Sequence, residues 1–271
     1  MPELPEVETI KNQITEVLPM RIDKVYFSKV SSSIIKTRDF SPLNLVIEKV
    51  VRQGKVLRFF LSGDKRIISG LGMSGGWRIS REPMNVKHTH IQFSSLVKGQ
   101  ETYLAYVDPR RFGVAHFFNE ENEAQWLTRL GVDVSTDQFT LEYLLTLKNK
   151  FPEKKIKPFL LEQNYFAGVG NYMASEICAR ALIRPSRRMK TLRRLDLENI
   201  LVANKIVLDD AITTGGTTFS GGYADAFGEK GAGVTGLVVF YQEICRLCEV
   251  TAVKKVVMLQ RGTYYCPRCQ V

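Results

Sequence analysis

Near the start of the chain, apolar residues recur at helical spacing: Val7, Ile10, Ile14, Val17 and Leu18 share one face. Pro5 falls in the first turn, where its fixed φ is favourable, so the pattern predicts a helix over residues 5–18. From 22 to 118 the period shortens to two. Strands are predicted at Ile22–Val30, Asn44–Val51, Val56–Leu61, Arg66–Ser69, Thr89–Phe93, Thr102–Val107 and Val114–Phe118. Turn signals such as Gly54-Lys55 and Gly63-Asp64 separate them. One helix followed by short strands predicts a β-sandwich or flattened barrel. The acidic, polar run 119–138 reads as a linker, with a boundary near 130–138. Beyond it the period returns to helical, at 140–149, 157–165, 171–182 and 191–213.

Three turns in the β region carry chemistry. Gly54-Lys55 sets a lysine at a tight turn. Gly70-Leu71-Gly72-Met73-Ser74-Gly75-Gly76 places Met73 on a glycine-rich loop. Asp108-Pro109-Arg110-Arg111-Phe112-Gly113 sets Arg110 and Phe112 at a strand end. Met, Arg and Phe on loops are residue types that wedge into a base stack; the plainer reading is a core Phe with solvated arginines. His88 and His90 alternate at a strand start and are candidates for phosphate contact. Further on, Gly168 and Gly170 allow close backbone approach, and Asn171 is placed to cap the following helix, whose N-terminus could take a phosphate. Residues 215–236 hold eight glycines, among them Gly221, as a mobile lid over a bound base or as a disordered connection.

Two Cys-x-x-Cys pairs, Cys245/Cys248 and Cys266/Cys269, give the strongest local signal, a four-cysteine zinc ribbon. Val253–Gln260 reads as a strand entering a turn at Arg261-Gly262-Thr263, which presents Arg261 at a tip. Cys178 lies in an apolar helix and reads as a core thiol.

Composition narrows the partner. The 271 residues suggest two domains, and 44% hydrophobic content excludes wholesale disorder. Lys and Arg number 38 against 28 Asp and Glu, a net charge of +10, which favours a polyanion. Residues 138–271 hold 19 Lys and Arg against 12 Asp and Glu, with Arg180, Arg184, Arg187, Arg188, Lys190, Arg193 and Arg194 close together. No apolar run is long enough to span a bilayer, and a cytoplasmic protein is expected.

The first residues then gain meaning. In Met1-Pro2-Glu3-Leu4-Pro5-Glu6, removal of Met1 would leave Pro2 as a free secondary amine. An α-amino group has a pKa of about 7.7–8.0, so part of it is unprotonated near neutrality. Attack on an aldehyde-level carbon would give an iminium, an electron sink. Glu3 and Glu6 lie beside it, and Glu3 is a candidate general acid or base.

Together, Pro2-Glu3-Leu4-Pro5-Glu6, Gly54-Lys55, Asp108 to Gly113, Gly168-Val169-Gly170-Asn171 and the cysteine pairs with Arg261-Gly262-Thr263 resemble the formamidopyrimidine-DNA glycosylase family of bacterial base-excision repair enzymes. The match runs nearly the whole chain. The resemblance implies an α+β protein with an N-terminal β-sandwich domain and leading helix (1–132). A helix–two-turn–helix domain with the glycine-rich loop (138–235) and a zinc ribbon (236–271) would follow. It implies Pro2 as nucleophile at C1′, Glu3 as proton donor to the sugar, and Lys55 and Arg261 among the catalytic groups. Glu6 would position the lesion, and Met73, Arg110 and Phe112 would fill the vacated duplex. His88, His90, Lys157, Gly170, Asn171 and Arg261 are expected DNA contacts.

One structural zinc, double-stranded DNA with oxidised bases or abasic sites, and a monomer complete the expectation. Leu4 resembles the oxidised-purine branch rather than the endonuclease VIII branch, the alternative specificity; a non-catalytic DNA-binding zinc ribbon is the other alternative. Two departures from the pattern are a spacer between the cysteine pairs about one residue longer than usual and a shortened Val238–Ile244 stretch.

Overall fold

The computed structural model describes residues 2–84, 87–219 and 222–271; Met1 and Gly221 lie outside the described residues. The chain divides into two compact units. The first comprises Met1–Thr128 with Thr214–Ala232, and the second Arg129–Thr213 with Gly233–Val271.

The first unit opens with helix α1 (Leu4–Thr15) and continues through ten strands. These are β1 (Met20–Arg21), β2 (Lys24–Phe27), β3 (Ile35–Arg38), β4 (Val46–Gln53), β5 (Val56–Leu61), β6 (Lys65–Gly70), β7 (Gly76–Ser80), β8 (Thr89–Val97), β9 (Gln100–Val107) and β10 (Val114–Asn119). They form a six-stranded sheet in the order β1-β4-β5-β6-β10-β3 and a four-stranded sheet in the order β2-β8-β9-β7. All pairs are antiparallel except β10 with β3. The expected sandwich with a leading helix is therefore present. Its core joins both sheets through aromatic rings: Trp77 of β7 lies 5.0 Å from Phe59 of β5 and 5.9 Å from Phe93 of β8. The buried indole N–H is satisfied by Ser69 Oγ at 2.9 Å. Val7, Ile10 and Ile14 of α1 are buried in the same cluster.

Residues 119–138 are not a linker throughout. Helix α2 (Glu120–Leu127) occupies the first part, with Glu120, Glu121 and Glu123 in its first turn, where negative charge suits the helix dipole. Glu123 is buried because it pairs with Arg58 at 2.8 Å and Arg66 at 3.4 Å. Charge alone therefore mistook a buried ion-pair hub for a solvated connection.

The second unit holds α3 (Leu141–Lys150), α4 (Ile156–Leu160), α5 (Asn171–Arg180) and α6 (Arg194–Thr213). Two short strands, β11 (Val132–Asp133) and β12 (Phe166–Ala167), pair in parallel, and β13 (Lys254–Met258) and β14 (Arg261–Tyr265) form a hairpin. The helix predicted over 157–165 stops at Leu160, because the backbone turns at Glu162–Tyr165 to pair Phe166 with Val132. Phe151, Phe159, Tyr165 and Phe166 meet edge to face in the core beside α4. Cys178 is buried among α5 side chains, and burial pushes its thiol up to about 12, so it stays a neutral core group.

The glycine-rich segment does not group with the helices that precede it. Thr214–Ala232 belongs to the first unit, because Tyr223 and Ala226 are buried in the sandwich core. The segment expected as one end of the helical domain is in this respect a part of the β-sandwich unit.

In the second unit the stretch Val238-Val239-Phe240 is held by one carboxylate. Glu176 of α5 accepts the backbone N–H of Val238 at 2.8 Å, Val239 at 2.9 Å and Phe240 at 2.8 Å. Burial raises its pKa, and those hydrogen bonds with nearby Arg180 oppose the rise. Glu176→Ala strands three buried donors, each costing about 1–3 kcal/mol. The variant is expected to lose about 3 kcal/mol or more of unfolding free energy, read by urea denaturation of the full chain.

Candidate active site and candidate nucleic-acid interface

Pro2 and Glu3 are fixed by the start of α1. Leu4 and Pro5 occupy the first helical positions, and Glu3 N–H donates to Glu6 Oε2 at 2.7 Å, the returning arm of a capping box. Pro2, Glu3 and Glu6 are all buried. Glu6 is only 1% exposed, and its Oε1 accepts the N–H of Thr217 at 2.7 Å. Its carboxylate thus ties the N-terminus to the glycine-rich segment. The fit there is close: a Cβ on Gly216 (φ +89°) would lie 2.9 Å from the Tyr223 ring and 3.1 Å from Glu6 Cγ. Burial, and then the charges of Glu6 and Asp225, raise the Tyr223 pKa and keep it a neutral phenol.

Lys55 follows Gly54 in the two-residue turn between β4 and β5, closed by the Gln53–Val56 pair. Gly54 supplies φ +57°, the conformation a hairpin of this length requires. Arg52 steadies the turn, donating to the Gly54 carbonyl at 3.0 Å and to Glu8 of α1 at 2.7 Å.

The Met73 and Arg110–Phe112 loops form one rim. Asp108 is buried; its Oδ1 accepts Ser74 Oγ–H at 2.6 Å, and its Oδ2 accepts Gly113 N–H at 2.8 Å. The turns pack so closely that a Cβ on Gly72 would lie 2.5 Å from the Phe112 carbonyl carbon. The tips remain outside: Met73 is 42% exposed and Phe112 55% exposed, with the Arg110 guanidinium 4.7 Å from the Phe112 ring centroid. Phe112 is therefore not a core residue, and the choice that sequence left open falls to exposed side chains on a braced base.

The two histidines separate. His88, at φ +79°, lines an open cavity of about 410 Å³ with Tyr26, Lys87 and Arg111. His90 is 2% exposed, with Nδ1 3.0 Å from Ser28 Oγ and Nε2 3.0 Å from the Asp108 carbonyl oxygen. The expectation that His90 meets a phosphate is corrected: both ring nitrogens are engaged inside the protein, where they brace the Asp108 turn.

In the second unit, Gly170 is the N-cap of α5 and Asn171 its first residue. Asn171 does not cap the helix as expected. Its Oδ1 accepts from Lys157 Nζ at 2.5 Å, and its Nδ2 donates to the Gly262 carbonyl at 3.0 Å. Lys157 is fully buried, so the expected direct DNA contact is also corrected: the lysine steadies Asn171 from behind. The hairpin turns at Leu259-Gln260, both at positive φ, rather than at Arg261-Gly262-Thr263. Arg261 is exposed at the first position of β14, next to the glycine that Asn171 grips. The basic cluster is largely paired: Arg187 and Arg193 meet Asp196, Arg188 and Lys190 meet Glu153, and Arg180 meets Asp210. Arg188, Lys190 and Arg193 are paired but still exposed, so the cluster faces outward with acidic partners beside it.

The sulfurs of Cys245, Cys248, Cys266 and Cys269 lie within 4.8 Å of one another. Zinc at about 2.3 Å from each of four thiolates places them roughly 3.8 Å apart; Cys248 and Cys266 are at 3.9 Å. The longer spacer between the pairs therefore leaves the ligand set intact. Four thiolates leave no position for water, so the zinc is structural. Cys245→Ser is expected to release zinc and disorder Lys254–Tyr265, while the β-sandwich unit stays folded. Metal analysis and hydrogen exchange of those strands check this, and retained stoichiometric zinc would refute the four-thiolate assignment.

Comparison with known proteins agrees over the whole chain. Residues 1–115 match the formamidopyrimidine-DNA glycosylase N-terminal domain, 130–221 its H2TH domain, and 242–271 the zinc finger found in FPG and IleRS. A formamidopyrimidine-DNA glycosylase of Listeria monocytogenes is 35% identical over 280 residues, covering 100% of both chains. One from Wolbachia pipientis is 33% identical over 286 residues, again with 100% of both covered. The solved MutM (FPG) protein of Thermus thermophilus superposes with a TM-score of 0.86 at 31% identity, covering 99% of this chain and 98% of that one. Lactococcus lactis Fpg in complex with abasic-site DNA gives 0.87 at 26% identity, with 100% of each chain covered. The three matching domains and the full-length relatives place this chain in the formamidopyrimidine-DNA glycosylase family.

Proposed function

We propose that this glycosylase removes oxidised purines from duplex DNA through an iminium on Pro2, and then nicks the strand at the resulting abasic site. The observation that carries this reading is Pro2, buried just before α1 with Glu3 and Glu6, whose carboxylate turns back onto the Glu3 N–H. The unprotonated Pro2 nitrogen attacks C1′ of the damaged nucleotide, the bond from C1′ to the base breaks, and the base leaves with a proton. Glu3 protonates the ring oxygen as the sugar opens, and the iminium forms between Pro2 and C1′. Loss of a C2′ proton then expels the 3′ phosphate. Lys55 binds a phosphate beside this site, and Glu6 acts through the Thr217 segment it holds.

Met73, Arg110 and Phe112 fill the duplex behind the extruded nucleotide, as their exposure on a braced rim allows. Asn171 and Arg261 contact backbone phosphates, and His88 does so from the first unit. Leu4 and the complete Met73/Arg110/Phe112 set favour oxidised purines over oxidised pyrimidines. No helix among the described residues is long and apolar enough to cross a membrane; the cytoplasm is the proposed compartment.

Borohydride is expected to trap a covalent enzyme–DNA adduct on substrate containing an oxidised purine, with peptide mapping placing it on Pro2. Glu3→Gln should cut base removal by roughly a hundredfold or more while keeping part of the cleavage at a preformed abasic site. An adduct on Lys55 would make lysine the nucleophile and overturn the assignment.

Extrusion costs a few kcal/mol of unstacking and unpairing. Met73→Ala and Phe112→Ala are therefore expected to slow excision from duplex DNA by about tenfold and leave abasic-site cleavage within about twofold of wild type. Equal losses on the two substrates would remove these side chains from the extrusion step.

A further inference from the structure

The glycine-rich segment is held on α1 by a side chain that the reaction above does not use. Gln13 Oε1 accepts the N–H of Ala226 at 2.7 Å, and Gln13 Nε2 donates to Asp225 Oδ2 at 2.6 Å. One amide group therefore grips two consecutive residues, as acceptor and as donor. Ala226 is pinned on its other side as well, since its carbonyl accepts Ile79 N–H of β7 at 2.7 Å and its methyl lies in the sandwich core. Asp225 builds the turn that it anchors: its Oδ1 accepts the N–H groups of Phe227 at 3.0 Å and Glu229 at 2.8 Å.

This grip is connected to the site. Thr218 Oγ1 accepts Gly231 N–H at 2.9 Å and donates to the Tyr223 carbonyl at 3.0 Å, so the two arms of the segment are tied together. Ala232 N–H donates to the Thr214 carbonyl at 2.9 Å and closes its base. Thr217, in the first arm, donates its N–H to Glu6 Oε1. Glu6 and Gln13 are seven residues apart on α1, two turns along one face. The helix thus holds the segment at two points, one beside Pro2-Glu3 and one remote from it.

We infer that Gln13 is a positioning residue for base removal: through Asp225 and Ala226 it keeps the Thr214–Ala232 segment, and with it the Thr217 N–H, seated on Glu6. The inference rests on the proposed excision of oxidised purines. A segment that positions the base matters while a base is present and has nothing to position on a base-free sugar. Loss of the grip therefore separates the two activities.

The test is a donor–acceptor swap. Gln13→Leu removes both hydrogen bonds, and Gln13→Glu sets a carboxylate against Asp225. In the double variant Gln13→Glu with Asp225→Asn, the asparagine amide donates to the new carboxylate, whose other oxygen still accepts Ala226 N–H. Single-turnover excision of an oxidised purine is expected to fall about tenfold in each single Gln13 variant, with abasic-site cleavage within about twofold of wild type. The double variant should recover to within about threefold of wild type. Hydrogen exchange of peptides covering 222–232 should speed up in the single variants and slow again in the double.

Unchanged excision in Gln13→Leu despite faster exchange overturns the inference. So do equal losses of both activities, or failure of the swap to restore excision. A wild-type enzyme that excises no oxidised purine refutes the proposed function first, visibly before any variant is compared, and the inference falls with it.

Discussion

A chain end is ordinarily the least constrained part of a protein, yet here Pro2, the proposed nucleophile, and Glu3 are buried. Burial of one face of α1 resolves this. Leu4, Val7, Ile10 and Ile14 are all buried, which fixes the helix against the sandwich and fixes its first turn with it. The capping box then turns Glu6 back onto the Glu3 backbone. The second oxygen of Glu6 draws in Thr217, more than two hundred residues later. If α1 did not pack, neither Pro2-Glu3 nor the segment that Glu6 holds would have a defined position.

The same economy recurs wherever a loop must be exposed and still. Buried polar groups with every partner supplied do this work, because an unpaired one would be costly in a low-dielectric interior. Asp108 joins the Met73 turn to the Phe112 turn, and His90 supports it from behind. Glu176 gathers three successive backbone N–H groups and delivers the chain to the cysteine cluster. Lys157 steadies Asn171, and Asn171 holds the Gly262 carbonyl beside Arg261. Met73, Phe112 and Arg261 are thus exposed side chains on backbone that buried groups hold, whereas Glu176 holds a stretch that is itself buried.

These supports explain why some site assignments from sequence had to move inward. His90 and Lys157 carry the right chemistry for phosphate, but they spend it on the protein. Asn171 has the right chemistry for a cap, but tertiary partners claim both ends of its amide. Many arginines counted toward a basic face are paired with Asp196, Glu153 or Asp210. Charge summed along a sequence is insensitive to such pairing, because it depends on residues brought close by folding.

Sequence by itself determined what local physics and residue identity decide. The period of apolar residues marked α1 and most strands, turn glycines marked the hairpins, and two cysteine pairs marked the metal. The order of five short motifs marked the family. Short or edge elements escaped, among them β3, β7 and α2. Their patterns are weak over four to eight residues, and partners in other strands stabilise them. Only tertiary structure decided that Thr214–Ala232 belongs with the sandwich, that Glu123 is buried, and that Gln13 grips Asp225. Such contacts join positions dozens to hundreds of residues apart, and no propensity at either end encodes the meeting. It follows from which apolar faces are buried together, and that is settled only when the whole unit folds.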